Sequence, residues 1–201
     1  MQSGSTKIAS VGARRLRYNP AMRTFMIAAA IALSTFVVPV RADACGPRVE
    51  IEFQEYDGGD LFKITNKSQE PWSVAGLVLS LMDTRGRVVF DTADGGAGTS
   101  MHYPFHPLSA NVGFIGATPV GDGDKALALK FSDFGPGKTF MFTVDVDAKS
   151  ANGIDLPMVN DADMEGATGE AEMVKGADKA RAKGTFGREG KAVIGEGGLC
   201  A

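Results

Sequence analysis

Residues 139–147 read TFMFTVDVD, with Phe140, Phe142, Val144 and Val146 at every second position and Met141, Thr143, Asp145 and Asp147 between them. A period of two belongs to a β-strand with one face in a core and the other toward polar surroundings. The same period recurs in short runs along the chain. Val49, Ile51 and Phe53 alternate with Glu50, Glu52 and Gln54, and Phe62 and Ile64 with Lys63 and Thr65. Leu77, Leu79 and Leu81 share one face, as do Leu127, Leu129 and Phe131. Turn formers stand between the runs: Asp57-Gly58-Gly59-Asp60, Asn66-Lys67-Ser68, Asp83-Thr84-Arg85-Gly86 and Phe134-Gly135-Pro136-Gly137. Many short strands at intervals of about 8–12 residues, with no long amphipathic helix, predict an all-β fold. The expected architecture is a single antiparallel β-sandwich of about eight strands, with a jelly roll as a variant.

The first fifty residues of the domain read as a four-strand antiparallel meander, ending in 87–91 with Val88 and Phe90 inward. From Asp91 to Lys125 the alternation fades into Gly-rich turns, both histidines, and Pro104, Pro107 and Pro119. Interspersed Tyr103, Phe105 and Phe114 indicate an ordered loop packed on the core, the kind of segment that carries binding on a rigid scaffold. After 149–163, which reads as loop, the Gly/Ala-rich tail from Glu165 to Ile194 is expected to form three short strands.

Ahead of the domain, from Met22, stands MRTFMIAAAIALSTFVVPVRADA, followed at once by Cys45. Arg23 gives a basic n-region, Phe25 to Val38 an apolar h-region, and Ala42 and Ala44 the small residues of a cleavage site, which are the parts of a secretory signal peptide. We read Met22 as the true start, 1–44 as an extension plus leader cut after Ala44, and 45–201 as the domain. A twin-arginine signal at Arg14-Arg15 is the alternative. The leader places the protein in the periplasm or outside the cell. A lipid anchor at Cys45 is not expected, because residues 40–43 lack a Leu near −3 and place Asp43 at −2. Cys45 and Cys200 lie at the two ends of the domain, and in an oxidising compartment the simplest reading is one disulfide joining them. Pairing between chains is the rival.

The leader holds Lys7, Arg14, Arg15, Arg17, Arg23 and Arg41, six of the chain's 21 basic residues, and Asp43, one of its 24 acidic ones. Its removal leaves a net charge of about −8, which argues against nucleic acid and anionic membranes and suits cations or neutral ligands such as glycans. No transmembrane span is expected in the domain.

Phe62-Lys63-Ile64-Thr65-Asn66, Phe90-Asp91-Thr92, Pro104-Phe105 and 142–147, with a Gly/Ala-rich closing hairpin, resemble small secreted bacterial proteins named by analogy with the sponge aggregation factor core. The similarity spans most of 48–195. It implies a secreted β-sandwich with an adhesion or binding role and no assigned catalytic residues. Ala148-Lys149-Ser150 departs from the family's pattern, which runs on with more acidic residues there.

Four sets of residues are candidates for chemistry. Asp145 and Asp147 fall on one strand face about 7 Å apart. With Asp122 and Asp124 of Gly121-Asp122-Gly123-Asp124 they form a candidate structural calcium site, since Asp-Gly loops at sheet ends supply carboxylates and carbonyls. Asp91 with Asp94 and Asp57 with Asp60 are further acidic pairs at sheet edges; as turn formers and solvated outer faces, all of these also have an ordinary structural reading. His102 and His106 are candidate copper or zinc ligands, although Pro104 keeps them off a common helix face. Trp72, Tyr103 and Phe105 are a candidate sugar-stacking surface if exposed, and core or loop anchors if not. No G-x-S-x-G, H-E-x-x-H or C-x-x-C is present, and no enzyme is expected. The function expected is a secreted or periplasmic, non-enzymatic binding or cell-surface interaction module for an unknown protein or glycan. The alternative is a metal-binding protein.

Overall fold

The computed structural model describes residues 46–195, apart from positions 57, 70, 100, 110, 151 and 157. The leader, its cleavage site and both Cys45 and Cys200, with their expected disulfide, lie outside the described residues. The first run forms β1 (Val49–Gln54), which pairs antiparallel with β2 (Leu61–Asn66) across the predicted Asp-Gly turn. After β3 (Ser73–Ser80), β4 (Val89–Phe90), β5 (His106–Pro107) and β6 (Phe114–Ala117) come β7 (Ala126–Phe131) and β8 (Thr139–Thr143). The chain continues through β9 (Val146–Lys149), β10 (Asp155–Leu156), β11 (Thr168–Lys175), β12 (Asp178–Thr185) and β13 (Lys191–Ile194). Two five-stranded antiparallel sheets, in the orders β13-β1-β2-β8-β5 and β12-β11-β3-β7-β6, pack face to face as a β-sandwich. A small sheet, β10-β9-β4, stands beside them. The strands beyond the expected eight are mostly short edge pieces, and the tail contributes two full eight-residue strands in β11 and β12.

The inward residues are those of the alternation. Val49, Ile51, Phe53, Phe62, Ile64, Phe140 and Phe142 of the first sheet meet Leu77, Leu79, Leu127, Leu129 and Phe131 of the second. Phenylalanine rings run through this core in contact. Phe62 stacks on Phe142 at 5.1 Å, Phe142 meets Phe105 at 5.1 Å, and Phe114 stacks on Phe140 at 4.8 Å. Val74 joins the core out of phase with Leu77 because the β3–β11 register slips between Glu172 and Met173, leaving an extra residue on β3. On the outer face of the first sheet, Glu52 pairs with its cross-strand neighbours Lys63 (2.9 Å) and Lys191 (3.0 Å), which hold its carboxyl below the ordinary carboxylate range. Among the described residues, no helix is long and apolar enough to cross a membrane.

Two expectations change. The opening runs do not make a meander: β2 has β8 as its second neighbour, while β3 lies in the opposite sheet between β11 and β7. Asn66 secures the crossover, its side-chain amide donating to the carbonyls of Trp72 (2.7 Å) and Phe134 (2.8 Å). The 139–147 strand is also not continuous. Its regular pairing lapses at Val144 and Asp145, and the chain changes partners from β2 and β5 to β4 and β10. Apolar alternation persists across the break, since Val144 and Val146 are both buried, which is why the pattern conceals it.

At one edge the sheets approach closely over glycine. Gly169 of β11 and Gly184 of β12 are cross-strand partners. A β-carbon on Gly169 would stand 2.6 Å from Ile51 Cδ1 and 2.7 Å from Ile194 Cδ1. One on Gly184 would collide with the Val193 carbonyl oxygen, which is backbone and cannot rotate away. Gly184→Ala should therefore destabilise the domain by about 2–3 kcal/mol, an overpacking cost read as a lower midpoint in urea with an unchanged slope.

Candidate functional site

The break after β8 is held by one aspartate. Asp60, 4% exposed, takes the Val144 N–H on its own carbonyl (3.1 Å) and the Val146 N–H on its Oδ2 (3.0 Å). The Asp145 N–H donates to the Tyr103 carbonyl (3.0 Å), and the Asp145 carbonyl accepts from the Asp91 N–H (2.9 Å). Two groups of acids result, one on each side of the break.

The first group is Asp60 and Asp145, in a cleft of about 270 Å³ lined also by Glu55, Tyr56, Gly59, Met101, Tyr103 and Met158. Burial pushes the Asp60 carboxyl up to about 8, with the nearby charge of Asp145 adding to it. Asp145 is half-buried; its carboxyl is raised to about 6 by burial and by the charge of Asp147. Tyr56, Met101 and Met158 are well exposed at the rim, and Tyr103 is 37% exposed. Tyr103 lies against Gly59, whose φ of +89° and missing side chain allow the approach: a β-carbon there would be 2.9 Å from Tyr103 Cβ.

The second group is Asp91, Asp122 and Asp147. Val89 of β4 is the cross-strand partner of Asp147 of β9, and Asp91 follows β4 directly. The 121–124 turn is tied to the same strand, with the Gly123 N–H on the Phe90 carbonyl (2.8 Å) and the Phe90 N–H on the Asp124 carbonyl (3.0 Å). Residues 92–99 then fold over the three carboxylates. The Thr92 N–H (3.1 Å) and the Ala97 N–H donate to Asp122, and the Thr99 N–H donates to Asp147 Oδ2 (2.5 Å). Burial first, and then Asp122 and Asp147, push Asp91 up to about 7.

Of the four acids expected to bind calcium, the structure thus brings Asp122 and Asp147 together. Asp145 stands in the neighbouring cleft. Asp124 is exposed, and its Oδ2 takes the Gly121 N–H (2.7 Å) as a turn former does. The third member is Asp91, which the sequence placed in a further acidic pair with Asp94 rather than in the four-residue set. Among the described residues, no three Asp, Glu, His or Cys side chains form a ready-made metal-ligand set.

The histidines separate. His106 is exposed on β5, while His102 is half-buried with its Nδ1 buried and unpartnered, within electrostatic reach of Asp145. The three candidate stacking aromatics separate as well. Trp72 packs on the core with Lys175 Nζ 5.1 Å from its ring centre, Phe105 joins the phenylalanine core, and only Tyr103 faces outward. Tyr56, which no sequence pattern singles out, joins Tyr103 at the cleft. A shallow depression of about 360 Å³ on the outer face of the second sheet, lined by Gly76, Ala128, Glu172 and Arg181 among others, follows from the small side chains there.

No family model matches this chain, and no curated protein or solved structure matches it.

A carboxyl held above its ordinary value favours the fold most where it is protonated. Asp60 should therefore contribute full stability below about pH 4 and progressively less as pH rises toward about 8. Asp60→Asn keeps an oxygen acceptor for the Val146 N–H and cannot ionise. Its melting temperature should change less than that of the unaltered protein between about pH 5 and 8, as measured by calorimetry.

Proposed function

We propose that this chain is a non-enzymatic binding module of the periplasm or cell exterior, acting through the Tyr56–Tyr103 cleft on a neutral glycan. The observation that carries this reading is the convergence of two outward tyrosines and two methionines on the half-buried Asp145 carboxyl in one concave site. Tyrosine faces stack on the apolar face of a sugar ring, and carboxyls bind its hydroxyls. At about 270 Å³ the cleft is slightly below the usual range for a drug-sized ligand, which suits one ring of a longer chain. The acidic balance of residues 45–201 favours a ligand without negative charge. The sequence resemblance to aggregation factor core proteins and the signal-peptide pattern support the compartment and an interaction role.

Titration calorimetry against a panel of neutral oligosaccharides tests the reading. Binding should be found, and Tyr103→Ala should weaken it about tenfold or more, the scale of one lost aromatic contact. A protein that ignores the panel and binds a lysine-rich peptide instead would replace the glycan with a basic protein partner. Binding unaffected by both Tyr103→Ala and Tyr56→Ala would remove the cleft from consideration.

A further inference from the structure

Six polar or charged residues are buried among the described residues: Asp60, Asn66, Ser68, Thr84, Asp91 and Asp147. Five of them have hydrogen-bond partners. Asp60 takes the Val146 N–H, Asn66 donates to two carbonyls, Ser68 bonds Arg48, Thr84 bonds Leu81 and Val88, and Asp147 takes the Thr99 N–H. Asp91 is the exception. It is 0% exposed, and neither of its carboxylate oxygens has a partner. A buried, unpartnered carboxylate is too costly to stand without compensation.

What Asp91 faces identifies the compensation. A β-carbon on Gly98 would collide with Asp91 Oδ2 and Asp147 Oδ2 together, so these two oxygens converge on one place beneath the loop. A β-carbon on Gly96 would collide with the Asp122 carboxylate in the same way. Asp91 also meets Asp122 and Asp147 side chain to side chain. Ionised carboxylates only accept hydrogen bonds, so these contacts become attractive only with a proton or a cation between them. The Lys149 Nζ donates to the Ala97 carbonyl of the covering loop (2.9 Å).

We propose that Asp91, Asp122 and Asp147 bind one calcium ion beneath the loop 92–99. The donor set is all oxygen, which selects a hard cation over copper or zinc. Three carboxylates supply up to six of the six to eight oxygens calcium takes, and loop carbonyls supply the remainder. The Thr92, Ala97 and Thr99 N–H groups hold the outer lone pairs of Asp122 and Asp147 and so aim their carboxylates. Gly96 and Gly98 are the residues that let the loop lie this close. The site is separate from the Tyr56–Tyr103 cleft and stands or falls independently of the glycan reading.

The test is thermal unfolding of the purified protein after EDTA treatment, with and without millimolar calcium, in parallel with magnesium, and repeated for Asp91→Asn. Saturating calcium should raise the melting temperature of the unaltered protein by about 5 °C, and magnesium less. Asp91→Asn should abolish the calcium rise, while without calcium it should melt at or above the unaltered protein because a repelling charge is gone. Should that variant fail to fold, Asp122→Asn must abolish the rise instead. No response of the unaltered protein to calcium overturns the proposal and leaves a shared proton as the compensation. An equal rise in Asp91→Asn and Asp122→Asn also overturns it, since calcium would then bind elsewhere.

Discussion

The described part of the molecule turns on the chain between Phe140 and Ala148, which has to serve two sheets in succession. Its first half is the fourth strand of a five-stranded sheet, and its second half is the centre of the small β10-β9-β4 sheet. A change of partners leaves backbone N–H groups without a ladder, and buried N–H groups must be bonded. Asp60 meets that requirement with both its carbonyl and its carboxyl, at Val144 and Val146. The Tyr103 carbonyl meets it at Asp145. One acidic side chain is thus buried so that a strand can break without leaving the core.

The acidic sites follow from that break. Once β8 and β9 diverge, Asp145 opens into the cleft with Tyr56 and Tyr103, whereas Asp147 turns under the loop toward Asp91 and Asp122. Burial dominates the shifts of Asp60, Asp91 and Asp145, and like charge adds to each. The phenylalanine core supports the backbone that carries these acids. Rings packed at 4.8–5.8 Å along β8 and its neighbours fix the backbone from which the carboxylates project.

Much of the architecture was legible. Strand existence and inward faces followed from the period of two, and the tail's three strands followed from short runs around Gly. The order of the strands was not legible, because a strand that pairs with its sequence neighbour and one that crosses to the opposite sheet carry the same alternation. The candidate site was half legible. Asp122 and Asp147 stood out as acids in strand and turn contexts, whereas Asp91 was one of several further acidic pairs at sheet edges and was grouped with Asp94. Its burial depends on a loop that returns over it, an arrangement without a sequence period. Trp72 and Phe105 were drawn against the core for the same kind of reason, since position in the fold decides which side of a large ring meets water.

The sequence by itself determined that this chain makes strands, which face of each alternating run turns inward, and where the turns fall, because these depend on neighbours one and two positions away. Only the tertiary structure decided that β3 leaves the first sheet, that 139–147 breaks at Val144 and Asp145, and that Asp91 meets Asp122 and Asp147. Those outcomes depend on contacts between residues from about thirty to about a hundred positions apart. Such contacts are chosen by how buried surfaces fit and how buried polar groups find partners, which no local pattern of residues records.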